Sequence, residues 1–527
     1  MAFSAGWAVA MAAWRQSMAL AQSGPASRRS ARICKLIRPG QGTNVTNAAE
    51  QWRTDVIVIG AGPAGLAAAN TAAQAGLKVL LIDENTRVGG QISRLPFRNG
   101  SGQDGPSSLE DLHRNIEFRG STVCLGFTSP RCVALEASGK AVLATARAVV
   151  IATGSTERVY PVPGWTLPGV MTAGAGQTFL KGSRTFPYKR VVVAGSGPLL
   201  LATASQLAQA GVEVAAVVEA TVPKASQWRS FTKIAAGGPI LFQGASYLGR
   251  LLRSGIPIMA GHGVSAVEGD SRVTGVQLRR LNSQWQFSDE PGKSIACDAV
   301  LFNQGFTSTT DLVSQAGAEI VWNELMQTWE PVRDANFRTT IPGLYTAGDC
   351  AGIGGSQVSA AEGELVGQSL VAELTDQSVD SRRREQLHRR LRRLKTFREG
   401  MDEVFRVGAG VDTWTKPKTV VCRCQETTAG DVTSALKVGI SSVSGVKLWT
   451  RAGMGNCQGR MCSHIIDSML HGSLRPGAES PARAEPRPRF PIRPTSATVL
   501  GSLPELSPLE PSAVANTARQ ISEETRK

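Results

Sequence analysis

Histidine is scarce in this chain. There are five in 527 residues, at His113, His262, His388, His464 and His471. They are scattered, and neither a Ser/His/Asp arrangement nor a hydrolase metal motif stands out. Cysteine is also thin: nine residues in a chain of this length do not make a disulfide scaffold, which favours a reducing compartment. No apolar run reaches the roughly 18–20 residues that span a bilayer. Acidic residues are absent before Glu50. No C-x-x-C or C-x4-C lies near the glycine-rich turns described below, and the stretch after Gly89-Gly90-Gln91-Ile92 reads SRLPF. A redox-active disulfide is therefore excluded, and with it disulfide reductase chemistry.

Basic residues are abundant, and the net charge is +15. No nucleic-acid recognition motif accompanies them, so nucleic acid is not an expected partner. A dense run, SRRREQLHRRLRRLK at 381–395, reads as a solvated basic helix, with a docking face for an acidic partner as the alternative. The apolar N-terminal stretch MAFSAGWAVAMAAW lacks a preceding basic region, and Arg15 follows it directly. Residues 1–51 are therefore set outside the fold, as a disordered, targeting or over-extended segment.

The first strong signal is VIVIGAGPAGLAAA. Gly60, Gly62 and Gly65 form G-x-G-x-x-G between a hydrophobic strand and a helix. The first glycine permits the turn, the second lets backbone approach a pyrophosphate, and the third lets helix and strand pack closely. The helix N-terminus supplies N–H groups and dipole to the phosphates. Asp83 ends the next strand, placed to bond a ribose hydroxyl, with Glu84 as the substitute if the register slips by one. Gly90 and Gln91, the turn Thr153-Gly154 that ends AVVIATG, and Gly348-Asp349 in TAGDCAG complete a set expected to hold FAD rather than NAD.

A second strand–turn–helix starts at Arg190 and reads Gly195-Ser196-Gly197-Pro198-Leu199-Leu200. Leu200 stands where the third glycine belongs. A side chain there must push helix and strand apart or reshape the phosphate turn. Glu219 ends the following strand and would select NAD over NADP. NAD binding is left open, the alternative being a domain that only packs.

Four cysteines near the C-terminus, Cys422, Cys424, Cys457 and Cys462, are set in VCRCQET and GMGNCQGRMC. Soft thiolates in two tight pairs suit a metal centre. Zinc pairs usually read C-x2-4-C, whereas these read C-x-C and C-x4-C, so a [2Fe–2S] cluster fits better than zinc or disulfides. The remaining cysteines, Cys34, Cys124, Cys132, Cys297 and Cys350, read as packing residues. The predicted helix after the first pair is capped by a Thr428/Asp431 box, and the last helix is expected to begin near Gln458.

Together, VIGAGPAG, GGQI, PGWTLPGVMTAGAGQT, GSGPLLL, AGDCAGIGG and CRC…TRAGMGNCQGRMC resemble the FAD-containing component of heteromeric amine and amino-acid dehydrogenases. That group includes the lineages of the hydrogen cyanide synthase B component and the opine oxidase A component, within the pyridine nucleotide–disulfide oxidoreductase superfamily. The resemblance covers about 52–495, and Leu200 matches the family's own form. LFNQGF at 301–306 departs from the smaller stretch the family carries there.

The resemblance implies an α/β fold with two Rossmann-like dinucleotide-binding domains, the FAD domain discontinuous, and a small helical BFD-like [2Fe–2S] module. The expected divisions are FAD domain 52–160 and 301–375, NAD-like domain 161–300, basic helical linker 376–417, cluster module 418–472, and a Pro/Arg-rich tail 473–527, extended or disordered. It further implies an FAD-dependent oxidoreductase that passes electrons from FAD through the cluster to an external acceptor. A D-amino-acid-oxidase-like flavoprotein subunit would oxidise a small amine or amino acid of opine, glycine or proline type. A self-standing NAD(P)H:acceptor reductase and a non-catalytic iron-binding or assembly protein are the alternatives. The expected location is the cytoplasm, or the membrane surface through the complex. No catalytic residue is identified.

Overall fold

Val56–Ile59 is buried at every position and runs through the middle of a five-stranded parallel sheet. Its neighbours are Val79–Ile82 and then Ile116–Arg119 on one side, and Ala148–Ile151 and then Leu344–Thr346 on the other. A strand without polar alternation needs cover on both faces, and both faces are covered here. Helices Pro63–Gln74 and Ser356–Leu374 pack on one face. An antiparallel layer containing Phe127, Val133, Leu135 and Val142 packs on the other. The computed structural model describes residues 49–92, 112–472, 483 and 485–504, all within the unit Ala49–Lys527.

The chain leaves this sheet after Ile151 and returns at Leu344. Between them lies a second parallel sheet, ordered Val170–Thr172, Ala299–Asn303, Arg190–Gly195, Glu213–Glu219, Ile258–Ala260. The outward and return crossings, Ser155–Glu157 and Phe306–Ser308, pair antiparallel with each other. The molecule thus has two Rossmann-type sheets, the first split by the second, as the glycine signals predict.

The basic helix is Ser381–Val404. Leu387, Leu391 and Leu394 bury one stripe against the first domain, at the spacing of one helix face. Arg383 pairs with Glu364 at 2.7 Å, and Arg389 with Glu385 across one helix turn. Among the described residues, no helix is long and apolar enough to cross a membrane.

Three expectations change. Strand Glu50–Arg53 pairs with Lys140–Thr145, so ordered backbone begins inside the segment assigned to the N-terminal tail. The last helix of the cysteine module starts at Ser463, later than Gln458, which sits at φ +53° in a turn that reverses the chain between the cysteines. The tail, expected to be extended or disordered, is irregular over 485–496 and then forms a short helix, Ala497–Gly501. Ile492 N–H donates to Leu125 O at 2.8 Å, and Val499 is buried against Leu125 and Ala134. Cys34 lies outside the described residues. Of the other isolated cysteines, Cys124, Cys297 and Cys350 are buried, Cys132 is half-buried, and all four are unpaired.

Candidate functional site: a dinucleotide cradle joined to a four-cysteine module

The predicted nucleotide residues converge on the start of helix Pro63–Gln74. A Cβ on Gly65 would lie 1.8 Å from Gly60 O, one on Gly60 would lie 2.4 Å from Ala152 O, and one on Gly90 would lie 2.9 Å from Gly62 Cα. These contacts bring the strand end, the Thr153-Gly154 turn and the double-glycine turn into one cradle. Gly348 joins it, since its Cβ would lie 2.8 Å from Ala64 Cβ. Thr153 Oγ1 donates to Thr309 O at 3.2 Å. Gln91 is exposed and leads into 93–111, outside the described residues.

The choice between the two acids is clear in the geometry. Asp83 Oδ2 accepts from Ala61 N–H at 2.7 Å, and its Oδ1 accepts from the backbone and side chain of Asn85. Glu84 is exposed, turned away, and paired with Arg493 of the tail at 3.3 Å. Asp349 Oδ1 accepts from Gly354 N–H at 3.0 Å and Gly355 N–H at 2.9 Å, where helix Ser356–Leu374 begins.

Behind Gly348 sits a residue that the sequence reading missed. Glu362 Oε2 accepts from Gly348 N–H at 3.0 Å and pairs with Arg333 at 3.0 Å, and its Oε1 pairs with Lys395 at 2.9 Å. Burial alone would raise the Glu362 carboxyl, but the charges of Arg333 and Lys395 hold it below the ordinary carboxylate range. It fixes the loop that carries Asp349. No local motif marks it, because its partners lie 29 and 33 residues away.

The second glycine turn has a different backbone. Gly62 sits at φ −77° but Gly197 at φ +103°, so the peptide between Ser196 and Gly197 is turned relative to the one between Ala61 and Gly62. Leu200 is fully buried between helix and sheet beside Val191, Val193 and Leu207. The turn has been reshaped, which is one of the two outcomes its bulk demands. Glu219 Oε2 accepts from Gly197 N–H and its Oε1 from Thr221 N–H, each at 2.9 Å, so the turn's amide is already engaged.

Burial pushes the Glu219 carboxyl up to about 7. A folded-state value above the unfolded one means that the unfolded chain releases this proton first as pH rises. Glu219 should therefore cost stability progressively between pH 4.5 and 7, by on the order of 1–3 kcal/mol. The difference in melting temperature between wild type and Glu219→Gln, followed from pH 4.5 to 8, should shift in favour of the variant as pH rises. A pH-independent difference would show that Glu219 is ionised throughout.

In the cysteine module, strands Val420–Cys422 and Thr427–Thr428 lead into helix Ala429–Lys437. The predicted capping box is present: Thr428 N–H donates to Asp431 Oδ2 at 2.8 Å, and Asp431 N–H donates to Thr428 Oγ1 at 3.2 Å. Cys422 and Cys462 are buried, Cys457 half-buried and Cys424 exposed. Gly453 N–H donates to Cys422 Sγ at 3.4 Å, as N–H groups do toward anionic sulfur. A Cβ on Gly455 would lie 2.1 Å from Cys424 Cβ. Burial and then the thiols of Cys422, Cys457 and Cys424 raise the Cys462 thiol. Among the described residues, no three Cys, His, Asp or Glu side chains gather as a single ion requires. A four-thiolate [2Fe–2S] centre asks each iron for only two sulfurs, so the donor set fits that group.

The module is bonded directly to the loop that follows the cradle. Trp165 Nε1–H donates to Val420 O at 2.6 Å, and His464 Nε2 lies 3.2 Å from Val159 O; just before the module, Thr415 Oγ1–H donates to Pro161 O at 2.9 Å. Burial and then the charge of Arg158 hold the His464 imidazole down at about 3, so it is neutral. On the other side Arg460 donates to Ile492 O and pairs with Asp311 at 2.6 Å. Arg483 pairs with Asp467 and lies 4.2 Å over the Trp322 ring.

Comparison with known proteins agrees with this arrangement. Residues 54–364 match the family "Pyridine nucleotide-disulphide oxidoreductase", and residues 420–471 match "BFD-like [2Fe-2S] binding domain". The chain is 34% identical over 481 residues to the A component of opine oxidase from Agrobacterium tumefaciens, covering 85% of this chain and 92% of that one. It is 33% identical over 459 residues to the HcnB component of hydrogen cyanide synthase from Pseudomonas aeruginosa, covering 83% and 96%. In fold it is similar to the crystal structure of L-proline dehydrogenase from P. horikoshii, with TM-score 0.60, 20% identity, and coverage of 86% and 80%.

Proposed function

We propose, from the premise that this chain belongs to the pyridine nucleotide–disulphide oxidoreductase family together with the opine oxidase A and hydrogen cyanide synthase HcnB components, that it is the electron-relaying subunit of a heteromeric amine or amino-acid dehydrogenase. Family membership makes it an FAD-dependent oxidoreductase with a BFD-like [2Fe–2S] module. When bound, FAD takes up an electron pair and the cluster passes electrons singly. The chain's own residues divide the work. Gly60, Gly62, Gly65 and Gly90 shape the nucleotide cradle. Asp83, Thr153, Gly154 and Asp349 line it, while Cys422, Cys424, Cys457 and Cys462 ligate the cluster.

One observation carries the reading. The cysteine module is hydrogen-bonded through Trp165 and His464 to the segment that leaves the cradle, which supports a relay from one site to the other. The proposed domain division stays 52–160 with 301–375 for FAD, 161–300 for the NAD-like domain, and 418–472 for the cluster, with strand Ala299–Asn303 carrying the second sheet across the 300/301 boundary. NAD binding at the second turn stays open, and no step is assigned to a nicotinamide nucleotide.

The substrate is oxidised on a D-amino-acid-oxidase-like partner subunit, and the acceptor is external. The exposed arginines of helix Ser381–Val404 offer that partner a basic face. Exposed pairs are individually worth about 0–1 kcal/mol, so their effect falls mainly on association rate. The purified chain alone should not oxidise amino acids, imino acids or opines with an artificial electron acceptor. Co-expression with such a flavoprotein should create that activity. Robust substrate oxidation by the single chain would place the active site at its own flavin, and NADH consumption by it would instead favour a self-standing reductase.

A further inference from the structure

Arg158 follows the crossing strand Ser155–Glu157 and is 3% exposed. Its Nη2 donates to Phe306 O at 2.9 Å, Met326 O at 3.0 Å and Gln327 O at 2.8 Å, and its Nη1 to Gln327 Oε1 at 3.2 Å. All of these acceptors are neutral. Among the described residues, no carboxylate pairs with it. The nearby acids are engaged elsewhere. Glu157 accepts from Gly174 N–H and Asn303 Nδ2–H, each at 2.9 Å, and Asp412 accepts from Ser468. The buried Arg333 provides the contrast, since Glu362 neutralises it at 3.0 Å.

A buried charge without a counter-charge is costly. Four hydrogen bonds solvate this guanidinium but do not neutralise it. Its position suggests what does. Val159, the next residue, offers its carbonyl oxygen to His464 Nε2 at 3.2 Å, and the ring of Tyr160 stands edge-on to His464 at 5.8 Å. His464 lies two residues beyond Cys462. On the other side, four residues back along the chain, is Gly154 of the nucleotide cradle.

We propose that Arg158 is the built-in counter-charge for an electron resident on the four-cysteine centre. A four-thiolate [2Fe–2S] centre is anionic when oxidised and gains one more negative charge on reduction. A fixed cation in a low-dielectric joint favours the reduced form and so raises the centre's midpoint potential. Arg158 thereby biases electrons away from the flavin side and toward the cluster. This inference rests on the reading that the module holds a [2Fe–2S] cluster.

The test is an EPR-monitored redox titration of the full-length, cofactor-loaded protein in three variants. Arg158→Gln should lower the cluster's midpoint potential, and Arg158→Lys should keep it near wild type. Gln327→Glu gives the guanidinium a carboxylate at a position where it already bonds, without removing any group. It should lower the potential in the same direction even if Arg158→Gln does not fold. Fully loaded Arg158→Gln or Gln327→Glu protein with an unchanged potential would overturn the proposal. A fall in melting temperature without a potential shift would mark Arg158 as a brace for the 326–327 turn only. Iron and sulfide analysis separates this result from failure of the underlying reading, in which no cluster is present at all.

Discussion

Cys462→Ser should strip the protein of its cluster: iron and acid-labile sulfide, each near two per chain in wild type, as a [2Fe–2S] centre requires, should fall close to zero. Cys462 is 1% exposed and packs with Val421, Val432, Ile465 and Ile466 in the module's core. A hydroxyl there is a hard, weakly acidic ligand in an apolar site and cannot replace a thiolate. The same substitution at the exposed Cys424 leaves a ligand that water or added thiol can replace, so its loss should be smaller and partly rescued by thiol. Folding is monitored separately by the heat-released flavin, whose proposed cradle lies in another domain. Stoichiometric zinc after anaerobic purification, or full iron retention in Cys462→Ser, would refute the ligand assignment.

The second large effect is expected at Gly65. Even alanine there would place Cβ 1.8 Å from Gly60 O and 3.2 Å from a Val58 methyl. The obstacle is backbone, so no side-chain rotation relieves it. Helix Pro63–Gln74 must move away from the strand, taking the Gly62 amide out of the cradle. Overpacking of this kind costs about 3 kcal/mol or more. Gly65→Ala should therefore retain little flavin, measured as heat-released FAD per chain. The second turn provides the control. Leu200→Ala opens a fully buried site and should cost about 2–5 kcal/mol while leaving FAD content unchanged. Flavin loss in Leu200→Ala with full retention in Gly65→Ala would reverse the assignment of the two turns.

Much of the site is legible residue by residue because its signals are local. Gly60, Gly62 and Gly65 are fixed by one turn, and the Thr428–Asp431 box by one helix start. Gly348-Asp349 sits between a strand and a helix whose periods are visible in the sequence. Errors fall where local pattern competes with contacts from afar. The tail at 485–504 has the composition of a disordered segment, yet Ile492 and Val499 find apolar partners more than 350 residues earlier. The last helix starts at Ser463 because the turn between Cys457 and Cys462 is held by its own bonds, Arg460 N–H to Cys457 O and Cys462 N–H to Gly459 O, each at 3.1 Å. Helix propensity at Gln458 does not decide it.

By itself, the sequence determined the chemistry: a glycine-turn nucleotide domain, a second one altered at Leu200, four cysteines of cluster type, and no redox disulfide. These follow from residue type and short spacing, which need no knowledge of the rest of the chain. The tertiary structure alone decided which acid faces the first turn, with Asp83 on Ala61 N–H and Glu84 drawn off to Arg493. It decided how the turn accommodates Leu200, and it placed Glu362 behind Gly348. It also brought Trp165 to Val420, 255 residues apart in sequence, and His464 to Val159, 305 apart. The joint between the cysteine module and the segment after the cradle, and the buried charge of Arg158 inside it, arise from packing between distant segments, and no local spacing can encode that.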